Sequence, residues 1–321
     1  PCGALPFVVP AGRERGAGGR RLPMHFEPPA SIYVSINAGR WHVSFSNEDA
    51  PDRVVPTEQE TLDHLRTFTA GDLVTRTIGL DRGVAVPLMA ADARGNAQAF
   101  SLLPVHQERL AKKEAARKRW QRRAARRVKG SANRCKACDR AANAGRYAAD
   151  VRENFAHQTS HALIEMQDLL LYVFEALKVK NMTASAAGTP DAPGTQVAQK
   201  SGLNRSILAS AWGLVKQYTK YKAIAAGKLC IEVPPGFSSQ ECSACGHTHP
   251  DNRPSQAEFV CQRCAHAENA DINAARVLAR RGVEAIVSGS YTLRGEKKVG
   301  GLRRAPFCVE AGNVGSERSE V

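Results

Sequence analysis

Hydrophobic positions change period several times along the chain, and each change marks an element. SIYVSIN and WHVSFS alternate apolar and polar residues, with Ile32, Val34 and Ile36 on one face and Trp41, Val43 and Phe45 on another. AGR between them reads as the turn of a β-hairpin. Residues 1–30 before it are rich in Gly, Pro and Arg, lack periodicity and read as irregular; residues 47–70 after it are polar, acidic and unpatterned and read as a linker or loop. From Leu73 three β-rich runs follow, LVTRTIGLD, VAVPLMAAD and AQAFSLL, joined by RG and ARGN turns as an antiparallel meander. Residues 106–129 switch to helical spacing, with Leu110, Trp120, Ala124 and Val128 on one side and Lys and Arg on the others. Tyr147, Val151, Phe155, Ala162, Met166 and Leu169 predict a second helix over about 144–169. LLLYVFE is an apolar run of strand length that ends on a carboxylate. Residues 183–200 read as a loop, 204–226 as a helix, KLCIEV as a strand and Ala270–Arg281 as a short helix, with an unpatterned tail after Gly282.

Charge narrows the function. The 321 residues carry 45 Lys and Arg against 31 Asp and Glu, a net charge of +14, with a pI near 9.6. Such a balance favours a polyanionic partner, nucleic acid or an anionic surface, over a small acidic metabolite. No run of about 18 apolar residues exists to span a membrane. ALPFVVPA near the start is short, broken by proline and without a basic leader, so it makes a poor signal peptide. The chain opens on Pro1, which reads as a fragment or as residues before Met24 lying outside the natural frame.

Cysteine spacing supplies the first chemistry. Cys242-Ser-Ala-Cys245, fifteen intervening residues, then Cys261-Gln-Arg-Cys264 is a CxxC…CxxC arrangement at zinc spacing. Two such turns close a tetrahedral shell of four sulfurs, the mark of a structural rather than a catalytic ion. His247, His249 and His266 lie nearby but are not needed for the shell and read as surface residues. Cys135-Lys-Ala-Cys138 has no partner pair and reads as free thiols, and Cys2, Cys230 and Cys308 complete nothing.

Three acids supply the second. Asp81 ends the first strand of the meander, Glu175 ends LLLYVFE, and Asp271 opens the last helix seven residues after Cys264. Each has an ordinary alternative: a turn residue, a solvated strand edge, or an acid near the positive end of a helix dipole. Together they fit the oxygen-ligand set of two Mg²⁺ ions in phosphoryl transfer.

The stretches GLDRGV, VFEALKVKNM, SSQECSACGH and FVCQRCAHAENADINAA, supported by KGSANR, SGLNRSI and YKA, resemble the nuclease half of TnpB-type (OrfB) insertion-sequence proteins, relatives of type V CRISPR effectors. The resemblance covers roughly residues 71–283, and the hairpin at 31–46 resembles the end of that family's β-rich guide-binding domain. It implies an α/β fold, an RNase H-like (RuvC) five-stranded mixed sheet with flanking helices and an inserted four-cysteine zinc ribbon. The implied divisions are a partial β-rich domain within 1–70, the nuclease domain at 71–238, the ribbon at 239–266, the last RuvC helix at 267–284 and a flexible tail at 285–321. Asp81, Glu175 and Asp271 match the catalytic, magnesium-binding acids, and Cys242, Cys245, Cys261 and Cys264 the zinc ligands. The basic helix 106–129 matches a bridging element that would use Lys112, Lys113, Arg117, Arg119, Arg122, Arg123, Arg126 and Arg127 on nucleic-acid phosphates.

The function this resemblance implies is that of a transposon-associated, Mg²⁺-dependent, RNA-guided DNA endonuclease with DNA and guide RNA as partners, cytoplasmic and nucleoid-associated in a prokaryote. A catalytically idle DNA- or RNA-binding regulator is the second reading, and a strand-transferring transposase a weaker third. The sequence departs from the family at Ala176, where an acid is usual, and at Ala265, where a glycine is usual. The resemblance leads to the expectation that the amino-terminal helical recognition domain and most of the guide-binding barrel are missing from this sequence.

Overall fold

The structure is a computed structural model and describes residues 31–37, 40–46, 55–166, 168–189 and 191–293. The chain divides into two compact units between Arg53 and Val54. Cys2, Cys308 and most of the expected irregular start and tail lie outside the described residues.

In the first unit, β1 (Ser31–Asn37) pairs antiparallel with β2 (Arg40–Ser46). The register sets Ile32 opposite Phe45, Val34 opposite Val43 and Ile36 opposite Trp41. Residues directly opposite project to one side, so Val34 shares a face with Val43 and Ile36 with Trp41, where the alternation alone had put them on two. Ile32, Val34, Ile36, Trp41 and Val43 are all exposed.

The second unit opens with α1 (Glu58–Arg66) and α2 (Ala70–Thr75), where the polar pattern had indicated a loop. Only Thr61, Leu62 and Leu65 of α1 are buried, too narrow a stripe to stand out among charges. The legible signal is the cap: the Thr57 side chain accepts from the Glu60 N–H while Glu60 reaches back to the Thr57 N–H. α2 also takes the start of the run read as a strand, so β3 is only Thr77–Asp81.

There follow β4 (Leu88–Asp92), β5 (Ala97–Phe100), α3 (Pro104–Ala125), α4 (Ala132–Ile164), β6 (Leu171–Glu175), the short α5 (Val179–Met182), α6 (Val197–Ala209), α7 (Trp212–Ala225) and β7 (Leu229–Val233). The helix expected over 204–226 is thus two, broken where Ala211 adopts a left-handed φ of 57°. The cysteine region adds β8 (Glu258–Val260) and β9 (Ala267–Asn269), and α8 (Ala270–Val287) closes the unit, running past Arg281 where the pattern had faded.

Strand order in the main sheet is β5-β4-β3-β6-β7, antiparallel from β5 to β3 and parallel from β3 to β7. This is the five-stranded mixed sheet with flanking helices that the fold expectation required. Period-two alternation splits it into two cores. Ile78, Leu80, Tyr172, Phe174 and Cys230 pack with Phe155, Leu163 and Val215 of α4 and α7. Leu171, Val173, Leu229 and Ile231 pack on the other face with Leu62, Leu65 and Leu73 and with Leu278 and Val283 of α8. A central strand buried on both faces has no polar alternation, which is why LLLYVFE reads as one apolar run. α8 approaches so closely that a Cβ on Gly79 would fall 1.7 Å from the Ala275 carbonyl oxygen, and one on Gly282 would fall 2.3 Å from Val173. Tyr291 and Leu293 pack against the same core, so the expected tail is anchored at its start.

Candidate functional site

Alternation also places the acids. Asp81 follows Leu80 and Glu175 follows Phe174, a pair in register across the parallel strands. Both carboxylates therefore lie on the face that packs α8, at the carboxyl ends of adjacent strands. Asp271 sits in the first turn of α8, whose cap is Asn269: its side-chain oxygen accepts from the N–H of Asp271 at 3.0 Å and of Ile272 at 3.3 Å.

Asp81 feels the charge of both other acids. Burial, then the charges of Glu175 and Asp271, push the Asp81 carboxyl up from 3.8 to about 7. Glu175 is raised by burial as well, partly offset by Arg82. A carboxyl raised by burial and by neighbouring negative charge, as Asp81 is, suits a divalent cation, which would remove both penalties. Among the described residues, the three do not converge to within 4.8 Å of one another as a single-ion cluster. A pair of ions about 3.5–4 Å apart spans a wider ligand set than that.

Two arginines that the sequence reading passed over flank the acids. Arg82, buried, donates from Nη2 to the Glu175 carbonyl oxygen, stacks 5.5 Å from the Phe174 ring centroid and lies 4.0 Å from Glu232. Arg253, from the cysteine region, places Nη2 3.6 Å from Asp271 Oδ1. Arg82 was visible in the sequence as the residue after the first acid; Arg253 has no local signal, because only folding carries it there.

The four cysteines do converge. Cys242, Cys245, Cys261 and Cys264 offer sulfurs all within 4.8 Å of one another, and this is the only such group among the described residues. Cys242 and Cys264 sulfurs are 3.7 Å apart and Cys245 and Cys261 sulfurs 3.6 Å. Sulfurs about 2.3 Å from a tetrahedral ion stand roughly 3.8 Å apart, so the set fits a zinc-sized metal. Burial pushes the Cys242 thiol up to about 12, a proton that a bound cation would displace. His247 and His249 stack on each other and His266 contacts Ser243 and Glu268, all outside the cluster. Cys135 and Cys138 are exposed free thiols on α4.

The basic helix forms as α3, somewhat shorter than 106–129, and packs against α4. Lys112, Lys113, Arg119, Arg122, Arg123, Arg126 and Arg127 are exposed; Arg117 is half-buried and lies against Gly145. Val128, expected on the apolar side, falls beyond the helix and is 78% exposed. Arg119, Arg122, Arg123, Arg126 and Arg127 line one surface depression. Arg123 and Arg140 of α4 stack on Trp120, at 5.3 and 4.6 Å.

The chain is similar over much of its length to known proteins. A protein of Escherichia coli (strain K12), InsQ, described as a candidate RNA-guided DNA endonuclease, is 33% identical over 83% of this chain and 60% of its own length. The chain is related to the TnpB-type proteins. A similarly described protein of Streptomyces pristinaespiralis is 27% identical over 84% of this chain and 57% of its own. The CRISPR-associated endodeoxyribonuclease Cas12f1 of Sulfoacidibacillus thermotolerans is 41% identical over 76 residues, 24% of this chain and 18% of its own. Residues 212–278 match the family described as Cas12f1-like, TNB domain. A solved Cas12f1-sgRNA-target DNA complex aligns with a TM-score of 0.44 at 18% identity, over 77% of this chain and 55% of that one. The chain thus spans about three-fifths of the length of the curated relatives it matches. Among the described residues no helix is long and apolar enough to cross a membrane.

Proposed function

We propose that the chain is the nuclease part of a transposon-associated, RNA-guided DNA endonuclease. The observation that carries this reading is that Asp81 and Glu175 end adjacent strands in register on the face packed by α8, whose first turn carries Asp271, so that three acids from three separate elements share one end of the sheet. Asp81, Glu175 and Asp271 would hold Mg²⁺, and bound Mg²⁺ would supply positive charge at phosphate oxygens and activate water for in-line attack. Arg82 holds the end of β6 through the Glu175 carbonyl, fixing the spacing of the two strand-end acids. Arg253 pairs with Asp271. Zinc in the four-cysteine cluster would be structural, because a shell of four sulfurs leaves no position open.

The partners in this proposal are DNA and a guide RNA, gripped along α3 by Lys112, Lys113, Arg117, Arg119, Arg122, Arg123, Arg126 and Arg127 through phosphate contacts. Such a protein works in the prokaryotic cytoplasm at the nucleoid. Intact acids favour this over a catalytically idle regulator.

The test is cleavage of target DNA by the full chain with its copurified RNA, in Mg²⁺ and in chelator. The expected result is Mg²⁺-dependent cutting that the Asp81→Asn protein lacks while still binding nucleic acid. Cutting by Asp81→Asn at the wild-type rate would refute the assignment. RNA and DNA binding without cutting by the wild-type chain would favour the regulator. Affinity should also fall steeply with salt, and a flat response would remove the basic helix from the account.

A further inference from the structure

The cysteine ribbon and the carboxylate site are joined at the beginning of α8. β9 ends at Asn269 and α8 begins at Ala270, with no linker between them. Ala270 is buried in the ribbon's own core with Cys242, Phe259 and Cys261, and its N–H donates to the Ala257 carbonyl at 2.9 Å. The cap that holds the N–H groups of Asp271 and Ile272 is Asn269, itself a ribbon residue.

Asn273 completes the joint. Its side chain is fully buried and bonded on both sides of Cys242: Nδ2 donates to the Glu241 carbonyl at 2.8 Å, and Oδ1 accepts from the Ser243 N–H at 2.9 Å. Ser243 lies inside the first CxxC turn. The Glu241 carboxylate is gripped by Arg280 and Arg281, further along the same helix. Later turns of α8 are locked onto the sheet at Gly79 and Gly282. The first turn, which carries Asp271, takes its cap and both Asn273 bonds from the ribbon.

We propose that Asn273 is a positioning residue that couples the four-cysteine cluster to Asp271, so that a filled cluster tightens divalent-ion binding at the carboxylates. This rests on the reading of Asp81, Glu175 and Asp271 as the ion-binding set. The physical cause is the ribbon's small core, four buried residues of which two are cysteines. Such a core holds its shape only with metal present. Empty, it releases the CxxC turn, the Asn273 bonds lose their geometry, and the helix frays through the turn that presents Asp271. Coupling between two sites is reciprocal and typically amounts to roughly 5- to 150-fold in affinity.

The experiment measures Mn²⁺ binding to the full chain by electron paramagnetic resonance, with the ribbon zinc-loaded and zinc-stripped, in wild type, Asn273→Ala and Asp81→Asn. The wild type should bind Mn²⁺ roughly 5- to 150-fold more tightly when zinc-loaded. Asn273→Ala, still holding its zinc, should bind Mn²⁺ like the stripped wild type and respond little to stripping. Equal Mn²⁺ affinity in loaded wild type and loaded Asn273→Ala overturns the coupling alone, as does a wild-type affinity indifferent to zinc. Mn²⁺ binding unchanged by Asp81→Asn overturns the ion-site reading beneath it as well. Should Asn273→Ala fail to fold, hydrogen exchange in the wild type decides. Stripping zinc should speed exchange at residues 270–274 and leave 171–175 protected, and equal protection at 270–274 overturns the proposal.

Discussion

Four thiols meet in the ribbon from two CxxC turns separated by fifteen residues. The three carboxylates instead come from two strand ends and a helix start, 94 and 96 positions apart (81 to 175, 175 to 271). The thiolate cluster is therefore written into local sequence and held by its own few residues. The carboxylate site is written into the sheet register and the packing of α8, and it exists only once the whole unit is folded. A locally built site fails locally, whereas a globally built site can lose a ligand and keep its scaffold. Cys135 and Cys138 sharpen the lesson: the same CxxC spacing without a second pair gives two exposed thiols and no cluster.

The largest expected effect tests the local site. Cys261→Ser should abolish tight zinc retention, measured by metal analysis after dialysis against chelator, and should unfold the ribbon while the main sheet keeps its protected amides. Structural zinc in small domains contributes about 10–16 kcal/mol of apparent binding energy, so no compensation by the tiny core is expected. Retention of one tightly bound zinc would place the metal elsewhere.

Next comes the carboxylate site, where loss of a ligand should stabilise the metal-free protein. The Asp81 carboxyl rises from 3.8 to about 7 on folding. The neutral form is thus favoured in the folded state. Its contribution is fully present below pH 3.8 and is lost as pH rises toward 7, by an amount on the order of 4 kcal/mol. In chelator, Asp81→Asn should melt above the wild type at pH 7.5, and the gap should close toward pH 4. Magnesium should raise the melting temperature of the wild type only. A variant that melts below wild type at pH 7.5 would show that the carboxylate stabilises the fold instead of straining it.

The two halves of the ribbon offer a finer comparison. The residue after the second cysteine is Gly246 in one turn, with φ 74°, and Ala265 in the other, with φ 58°. A side chain in the left-handed region is strained, and glycine is not. Ala265→Gly should therefore stabilise the ribbon by about 0.5–1 kcal/mol, seen as slower zinc release to a chromogenic chelator. Faster release would mean that unfolded-state entropy outweighs the relieved strain.

The smallest effect belongs to the unpartnered pair. Replacing Cys135 and Cys138 together by Ser should change stability by no more than about 0.5 kcal/mol and leave zinc content unchanged. A lost equivalent of metal would give that pair a function of its own.

Legible from the residues alone were the period-two strands, the apolar central strand, the CxxC pairs and the positive helix, because each depends on neighbours within a few residues. The sequence also marked Asp81, Glu175 and Asp271 as acids in unusual places. It hid α1, whose buried stripe is three residues wide, and the break at Ala211, a backbone choice without a side-chain signature. It assigned the hairpin's apolar sets to two faces, because alternation gives each strand a face and only the pairing register relates the two strands. Tertiary structure alone decided that Asp81 and Glu175 share the α8 face, that Arg253 reaches Asp271, and that Asn273 ties the thiolate turn to the helix carrying that acid. Each of these relations joins residues that only sheet register and helix packing bring together, and such forces act across the whole unit.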